Sequence, residues 1–170
     1  KHENIIEIVE LVEEGADVLM VMEAIDGADL ATLLKQARRT GARVPVALSL
    51  HIVARIASAL VAADETPDKN GQPLRIIHRD VTPSNILISR AGQVKLIDFG
   101  IARAPSADNF TRSGFLVGKI HFLAPEQIHH KDIDGRVDVW AAGCVLFQLL
   151  TGRRPFDGIS GPAVLIKIGT

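Results

Sequence analysis

Residues 78–85 read HRDVTPSN, and residues 98–100 read DFG. Between them stand two short apolar runs, 86–89 and 94–97, which are joined across the residues RAGQ. Short β-branched runs on both sides of a polar turn predict a strand hairpin. Either polar segment alone can arise by chance, but the ordered set around a hairpin is specific. This stretch therefore carries most of the information about fold and function.

Three polar side chains of this stretch, Asp80, Asn85 and Asp98, suit phosphoryl transfer to a hydroxyl group. One carboxylate would orient the attacking hydroxyl, while the amide oxygen and the second carboxylate would hold Mg²⁺ on a triphosphate. Mg²⁺ prefers hard oxygen ligands in octahedral geometry, which two protein oxygens together with phosphate and water provide. The spacing therefore predicts a phosphotransfer site.

The segments upstream predict strands followed by helices. Residues 5–12 and 18–22 are β-branched apolar runs separated by EEGAD, which predicts a hairpin or two neighbouring strands. Asp29 can cap a helix that ends near Gly41, and residues 46–63 have the apolar spacing of a longer helix. The polar run after that helix predicts a surface loop.

The segments downstream predict a long functional loop and a buried helix. Residues 100–135 have little periodicity, and a loop of this length in a compact domain usually carries function. Residues 137–150 are apolar almost all round, which predicts a helix buried on every side and ended by Gly152. A small strand region followed by a helical region gives the α+β class.

Composition places the chain among globular proteins. Of its 170 residues, 47% are hydrophobic, and 19 basic against 20 acidic residues leave a formal charge of −1. This balance offers no footprint for nucleic acid and no cationic face for a membrane. The single cysteine, Cys144, excludes an internal disulfide and favours a reducing compartment. The apolar stretch 137–150 is too short to span a bilayer. We therefore expect a cytoplasmic domain without membrane contact in this segment.

With these motifs in view, the chain resembles bacterial serine/threonine protein kinases of the eukaryotic-like family. Besides residues 78–85 and 98–100, the resemblance rests on APE at 124–126, DVWAAG at 138–143 and GRRPF at 152–156. It extends from residue 1 to about residue 170. It implies a protein-kinase-like fold and an ATP-dependent enzyme that phosphorylates serine and threonine hydroxyls of proteins in signal transduction.

The resemblance also implies how the chain is divided. Residues 1–23 would be the end of the N-terminal lobe and the gatekeeper, 24–29 the hinge, and 30–170 a mostly helical C-terminal lobe that stops before its last helices. The chain begins KHEN without an initiator methionine, so we expect an internal fragment. It supplies none of the glycine-rich loop, strand lysine and helix glutamate that the resemblance implies, so we expect the fragment alone to be inactive. In the parent protein the resemblance implies ATP with Mg²⁺ (or Mn²⁺), protein substrates, and a kinase–kinase dimer for autophosphorylation.

Roles for the reacting and supporting residues follow from the same resemblance. Asp80 would be the catalytic base, and Asn85 and Asp98 would hold the metal. His78 and Phe99 would form an internal hydrophobic spine together with Ile8. Asp138 would accept hydrogen bonds from the catalytic-loop backbone, and Glu126 would have a structural role in the APE segment.

The nucleotide-binding residues are implied by the segment VMEA at 21–24. Met22 would be the gatekeeper, Glu23 and Ile25 the backbone contacts to adenine, Asp29 the ribose contact, and Leu87 the floor beneath adenine.

The sequence departs from the usual serine/threonine kinase pattern at two positions. The lysine expected two residues after Asp80 is Thr82, and the threonine expected after Gly118 is Lys119. These two positions and the catalytic aspartate lie close together in the usual arrangement. We therefore hypothesise that Lys119 supplies the catalytic ammonium group that Thr82 lacks.

Regulation is expected in the loop between DFG and APE. Thr111 and Ser113 are the predicted phosphorylation sites, with Ser106 as a weaker third. Arg79 and Arg103 could form a cationic pocket that orders the loop once it carries a phosphate.

Two other functions stay open at this point. A small-molecule phosphotransferase of related fold would share the Asp…Asn loop, although DFG and APE favour a protein substrate. A pseudokinase or scaffold would bind partners without catalysis. Asp80, Asn85 and Asp98 are all present, which argues against it, but Thr82 leaves it open.

Overall fold

The computed structural model describes residues 1–15, 17–99, 118–129 and 133–170. The strands in these ranges are β1 Ile8–Glu14, β2 Asp17–Met22, β3 Gly27–Asp29, β4 Ile86–Ser89 and β5 Val94–Leu96. The α-helices are α1 Leu30–Thr40, α2 Val46–Asp64, α3 Pro125–Ile128, α4 Arg136–Thr151 and α5 Gly161–Gly169. Single 3-10 turns cover Pro83–Asn85 and Ile120–Phe122. The α+β class is therefore confirmed.

The first two strands form the predicted antiparallel hairpin, in which Ile8 pairs with Met22 and Glu14 with Asp17. The predicted start of the first strand at residue 5 is wrong. Ile5 instead makes an isolated parallel bridge to Leu96 of β5, and this bridge ties the hairpin to the second sheet. Apolar side chains on both faces of the hairpin are exposed, because no described element packs against it.

The second sheet has the order β3-β4-β5, all antiparallel. Sequence reasoning predicted β4 and β5 but missed β3, a three-residue strand inside the segment assigned to the hinge. Gly27 permits the β3–β4 pairing. A Cβ atom at Gly27 would lie 2.1 Å from the carbonyl oxygen of Ile88, so a larger residue would push the strands apart.

Helix α1 begins and ends where the sequence predicts. The carboxylate of Asp29 accepts the backbone N–H of Thr32 at 2.8 Å, which caps the first turn. Gly41 ends the helix with a φ of +72°, a left-handed conformation that glycine adopts without steric cost.

Helix α2 is the central core helix. It packs on α4 and β5, and burying one of its large apolar side chains stabilises the fold by about 1.5–3 kcal/mol. Its 19 residues, with a mean hydropathy of 1.9, are long and apolar enough to cross a membrane by length and composition alone. It carries His51 and Arg55 in its middle and buries Ile52 and Ile56, so we interpret it as a core helix. Large fully buried side chains come from α2, β4, β5 and α4, namely Ile52, Ile56, Ile86, Leu96 and Leu149.

The prediction that α4 is buried on every side is wrong. Val137 and Val145 are buried against the core, but Val139 is 70% exposed and Phe147 44% exposed. In the described part of the chain no element covers that second face, so its apolar residues meet solvent. Helix α5 was not predicted. It is capped by Ser160 and buries Val164 beside the 3-10 turn at residues 120–122.

Candidate active site

The loop that carries HRD is held by a carboxylate from a distant helix. Asp138, in the first turn of α4, accepts the backbone N–H of His78 at 2.7 Å and that of Arg79 at 2.8 Å. Arg79 has a φ of +66°, an uncommon conformation for a residue with a side chain. Two charge-assisted hydrogen bonds at this point hold the turn that presents Asp80. The predicted contact of Asp138 with the loop backbone is therefore confirmed.

Two effects act in opposite directions on the pKa of Asp138. Burial raises the pKa of the Asp138 carboxyl, and the N–H donors of His78 and Arg79 act in the opposite direction. An ionised carboxylate that accepts two backbone donors has about half of its lone-pair sites satisfied, which offsets part of the cost of removing it from water.

His78 is fully buried and joins the loop to the segment before DFG. Its Nε2 lies 2.9 Å from the carbonyl oxygen of Ile97, and its Nδ1 lies 3.3 Å from the backbone nitrogen of Asp80. A carbonyl only accepts and an amide only donates, so the ring is neutral with the proton on Nε2. Burial lowers the pKa of His78, in agreement with a neutral ring.

The ring of His78 also contacts Phe99, with ring centroids 4.5 Å apart. The predicted contact between these two residues is confirmed. Ile8, which was expected in the same buried set, is 47% exposed on β1, so that part of the expectation is wrong for this chain. About half of Ile8 meets solvent, because the described elements cover its face of the hairpin only in part.

Asp80 and Asn85 are linked directly. The Asn85 side-chain nitrogen donates to the Asp80 backbone carbonyl at 2.8 Å and to its Oδ2 at 2.9 Å. The 3-10 turn brings the two together, since the Asn85 backbone N–H donates to the Thr82 carbonyl at 2.9 Å. Asn85 is 4% exposed, and both of its partners are acceptors, which assigns the amide nitrogen to the side facing Asp80.

A second group reaches the same carboxylate oxygen. The ammonium group of Lys119, just before the 3-10 turn at residues 120–122, forms a salt bridge with Oδ2 of Asp80. Thr82 is 2% exposed, and its hydroxyl lies 3.4 Å from that of Ser84. The structure thus brings Lys119 to Asp80, as the sequence led us to expect, and keeps the side chain of Thr82 inside the loop.

The donor set fits a magnesium ion. Because Nδ2 of Asn85 is used by Asp80, its amide oxygen is the atom left for a cation. Asp98 is exposed, lies two residues after the end of β5 and has a φ of +57°. No cluster of three or more His, Cys, Asp or Glu side chains occurs in the described ranges. Two protein oxygens would leave the remaining positions to phosphate and water, an arrangement that Mg²⁺ favours.

The segment after β2 is fixed by a partly buried ion pair. Glu23 accepts the backbone N–H of Glu7 at 2.8 Å and forms a salt bridge with Lys95 of β5, whose side chain is 11% exposed. The hydrogen bond from Lys95 is the main cause that lowers the pKa of Glu23. The backbone N–H of Glu23 donates to the Glu7 carbonyl at 3.0 Å, and within the described residues no backbone N–H outside the regular elements donates to the Glu23 carbonyl.

The other predicted nucleotide contacts lie on the strands and the segment near this pair. Met22 ends β2 and is 37% exposed, Ile25 is partly buried, and Asp29 pairs with Leu87 across β3 and β4. Both carboxylate oxygens of Asp29 accept from Thr32, through its backbone N–H and its hydroxyl. A ribose hydroxyl would have to share these oxygens with the helix cap.

Sequence reasoning missed two buried polar residues that hold the segment containing Lys119. His121 is 4% exposed, with Nδ1 2.8 Å from the carbonyl oxygen of Phe156 and Nε2 2.7 Å from Nη1 of Arg154. Gln127 accepts the backbone N–H of Ala124 at 2.8 Å. In the sequence His121 is a single polar residue between two apolar ones and Gln127 follows Glu126, and neither pattern indicates a partner.

Only some of the predicted regulatory and peptide-binding residues lie in the described part of the chain. Arg103, Thr111 and Ser113, together with Ser106, lie outside the described residues. Arg79 is exposed. Glu126 lies in the first turn of α3 and is partly buried.

Comparison with known proteins gives one family match over nearly the whole chain and several bacterial relatives. The family model described as the protein kinase domain matches residues 1–168. The chain is 40% identical over 164 residues to the tyrosine-protein kinase MasK of Myxococcus xanthus, covering 96% of this chain and 25% of MasK. It is 38% identical over 166 residues to the serine/threonine-protein kinase PrkC of Bacillus subtilis, covering 98% of this chain and 24% of PrkC. It is also 38% identical over 167 residues to the serine/threonine-protein kinase PkaA of Streptomyces coelicolor, covering 96% of this chain and 28% of PkaA. The chain thus spans about a quarter of the length of these relatives.

Proposed function

This chain belongs to the protein kinase family, and on that premise we propose that the full-length protein transfers the γ-phosphoryl group of ATP to serine or threonine hydroxyls of proteins. The observation that carries the proposal is the state of the Asp80 carboxylate. Its Oδ2 is held by Asn85 and Lys119, whereas Oδ1 has no donor within the described residues. A base that is fixed through one oxygen and open at the other suits a positioned hydroxyl.

The reaction that this site would perform is an in-line displacement. The hydroxyl oxygen of the substrate forms a bond to the γ-phosphorus, and the bond between that phosphorus and the β–γ bridging oxygen breaks. ADP leaves, and the hydroxyl proton moves to Oδ1 of Asp80. Little covalent chemistry falls to the protein, so its contribution is positioning and charge stabilisation.

Asn85 and Asp98 would hold Mg²⁺, with Mn²⁺ as a substitute of similar chemistry. The bound ion would neutralise charge on the β- and γ-phosphate oxygens. Asn85 suits this role because its amide nitrogen is already used by Asp80. Asp98 would bring a negatively charged ligand to the site. It directly follows Ile97, whose carbonyl oxygen lies 2.9 Å from Nε2 of His78.

ATP would bind along the segment between β2 and α1. The Glu23 carbonyl and the backbone of Ile25 would contact adenine, Met22 and Leu87 would line its pocket, and Asp29 would contact the ribose. The ion pair between Glu23 and Lys95 supports this assignment, because it fixes the backbone at the point where adenine would bind.

The lobe division, partners and location belong to the same proposal. Residues 1–23 would close the N-terminal lobe, 24–29 would form the hinge, and 30–170 would belong to the C-terminal lobe. The enzyme would act on protein substrates in the cytoplasm and would form a kinase–kinase dimer for autophosphorylation. Phosphorylation would fall on Thr111 and Ser113, and Arg79 and Arg103 would bind the added phosphate. Glu126 would anchor the peptide-binding segment.

The test uses the full-length protein with labelled ATP, offered either a generic basic protein or an aminoglycoside. We expect label on protein serine and threonine, and none with Asp80→Asn. Label only on the aminoglycoside would replace the proposal by a small-molecule phosphotransferase, and ATP binding without transfer to any acceptor would leave a pseudokinase or scaffold.

One comparison favours a second acceptor. MasK, a relative at 40% identity, is named a tyrosine-protein kinase. Phosphoamino acid analysis of the labelled protein distinguishes the two acceptors, and label confined to tyrosine would contradict our serine/threonine assignment.

A further inference from the structure

We propose that Lys119 is a catalytic residue whose ammonium group contacts the transferred phosphoryl group while it holds Asp80, so that the catalytic cation lies on the segment before APE instead of on the HRD loop. This inference rests on the proposed function, since it assigns a role within phosphoryl transfer. It identifies the residue whose positive charge would stabilise the negative charge on the transferred phosphoryl group.

The ammonium group of Lys119 lies beside the carboxylate of Asp80. It forms a salt bridge with Oδ2 of Asp80, and the two side chains are 30% and 26% exposed. An ammonium group has three donors, and a carboxylate oxygen uses one. The remaining donors are therefore next to the oxygen atoms that Asp80 would serve, at a partly dehydrated site where charge acts more strongly than in water.

Thr82 occupies the loop position at which a lysine is usual. It follows Asp80 by two residues in the loop, but it has no charge and is 2% exposed, and its hydroxyl is near that of Ser84. The loop itself therefore brings no lysine to this position. Among the described residues, Lys119 is the cation that forms a salt bridge with Asp80.

The segment that contains Lys119 is held by buried polar side chains. Lys119 directly precedes a 3-10 turn whose His121 is buried and bonded to the Phe156 carbonyl and to Arg154. Gln127 closes the other end by accepting from Ala124 and donating to the Arg79 carbonyl at 3.4 Å. These contacts fix the backbone on which Lys119 lies relative to the HRD loop, so the ammonium group is held in place before substrate binds.

The chemical role follows from where charge accumulates. As the γ-phosphoryl group passes between the bridging oxygen and the hydroxyl oxygen, negative charge is spread over its equatorial oxygens. Lys119 would donate to one of them and to Oδ2 of Asp80, while Oδ1 takes the proton. The same cation thereby stabilises the transferred group and keeps the base oriented.

Kinetic variants of the full-length protein test this role. We expect Lys119→Met to lower kcat by roughly 100-fold, as for removal of one charge-stabilising donor, with little change in Tm. Lys119→Arg, which keeps the charge, should retain activity within about tenfold of wild type. Lys69→Ala, in the exposed loop after α2, is the matched loss of one lysine and should be neutral. The proposal is overturned if Lys119→Met keeps kcat within threefold, or if the Arg and Met variants lose activity equally.

Chemical labelling gives a readout that does not depend on activity. Reductive methylation of lysines, mapped by mass spectrometry, should modify Lys119 slowly in wild type and faster in Asp80→Asn, because that variant lacks the ion pair. With Mg²⁺ present, a non-hydrolysable ATP analogue should protect Lys119 more than ADP does. Equal protection by ATP analogue and ADP would contradict contact with the γ-phosphate.

The two readouts separate this inference from the proposed function. If wild type transfers no phosphate to any acceptor, the proposed function fails, and the labelling still decides whether Lys119 is at the γ-phosphate. If wild type is active and Lys119→Met is equally active, only the role of Lys119 fails.

Discussion

The carboxylate of Asp138 accepts the backbone N–H of His78 at 2.7 Å, across 60 residues of sequence. The contact joins the buried start of α4 to the loop that presents Asp80. Because the second oxygen of Asp138 accepts from Arg79, the loop backbone is fixed at two successive residues. The geometry of the candidate active site thus depends on a side chain that would touch neither nucleotide nor substrate.

Replacing Asp138 by asparagine should therefore weaken both fold and activity. An amide oxygen can accept one of the two N–H groups, but its NH₂ group faces the other donor and leaves it unsatisfied. We expect a loss of about 1–3 kcal/mol in the free energy of unfolding. We also expect a fall in kcat of roughly 100-fold through misplacement of Asp80. Chemical denaturation and steady-state kinetics of the full-length protein measure both.

The matched control is Asp134→Asn, which alters an exposed carboxylate that accepts from Arg136 at the start of the same helix. It should leave kcat unchanged. Equal effects of the two substitutions on kcat would show that the loop does not depend on Asp138.

The ion pair between Lys95 and Glu23 should affect nucleotide affinity more than turnover. Lys95→Met removes the partner that fixes Glu23 beside the proposed adenine site. A net interaction of about 1 kcal/mol predicts a rise in the Kd for an ATP analogue of roughly fivefold, which calorimetry measures. Arg90→Met, which breaks an exposed pair with Asp26 nearby, is the control and should leave Kd unchanged. A wild-type Kd in the Lys95 variant would contradict the assignment of this segment to adenine binding.

Burial of His78 should make stability depend on pH. Its pKa is lowered in the folded protein, whereas the unfolded chain has the ordinary value of about 6.5. As pH falls below about 6.5, the unfolded state binds a proton that the folded state does not, so the free energy of unfolding decreases. The stability that His78 contributes is thus present above that pH and is lost on acidification.

The measurement compares wild type with His78→Gln at pH 7.5 and at pH 5.5. Glutamine can keep one donor for the Ile97 carbonyl but does not titrate. The Tm of wild type should exceed that of the variant by more at pH 7.5 than at pH 5.5. A constant difference would mean that His78 does not carry the pH dependence.

Cys144 should be inert in the native protein. The residue is buried in α4, and burial raises the pKa of its thiol to about 11, so almost no thiolate forms at neutral pH. Iodoacetamide should modify it only after unfolding, which mass spectrometry of native and denatured samples checks. Rapid modification of the native protein would contradict the packing of α4.

Local sequence was sufficient for several elements. Asp29 and Gly41 mark the ends of α1, and the β4–β5 hairpin follows from two β-branched runs around a polar turn. Short-range hydrogen bonds and backbone preferences determine these features, so the residues involved are close in the chain. The α+β class follows in the same way, whereas Asp80, Asn85 and Asp98 were candidates because of their residue types and spacing.

Tertiary structure decided what depends on partners far away in the chain. The strand β3 exists because Gly27 lets the backbone approach Ile88, and the exposed face of α4 at Val139 exists because no described element covers it. Local periodicity contains no information about either neighbour. The anchoring of the segment before APE by His121 is likewise determined by Phe156 and Arg154, which are more than 30 residues away.

The sequence alone determined that the loop HRDVTPSN is present, and the resemblance to the family identified Thr82 at the position where a lysine is usual. Only the tertiary structure decided that Lys119 reaches Asp80, because a salt bridge across 39 residues depends on how two separate loops are packed. The presence of the lysine charge can be read from the sequence, whereas the position of that charge relative to the Asp80 carboxylate is set by the fold.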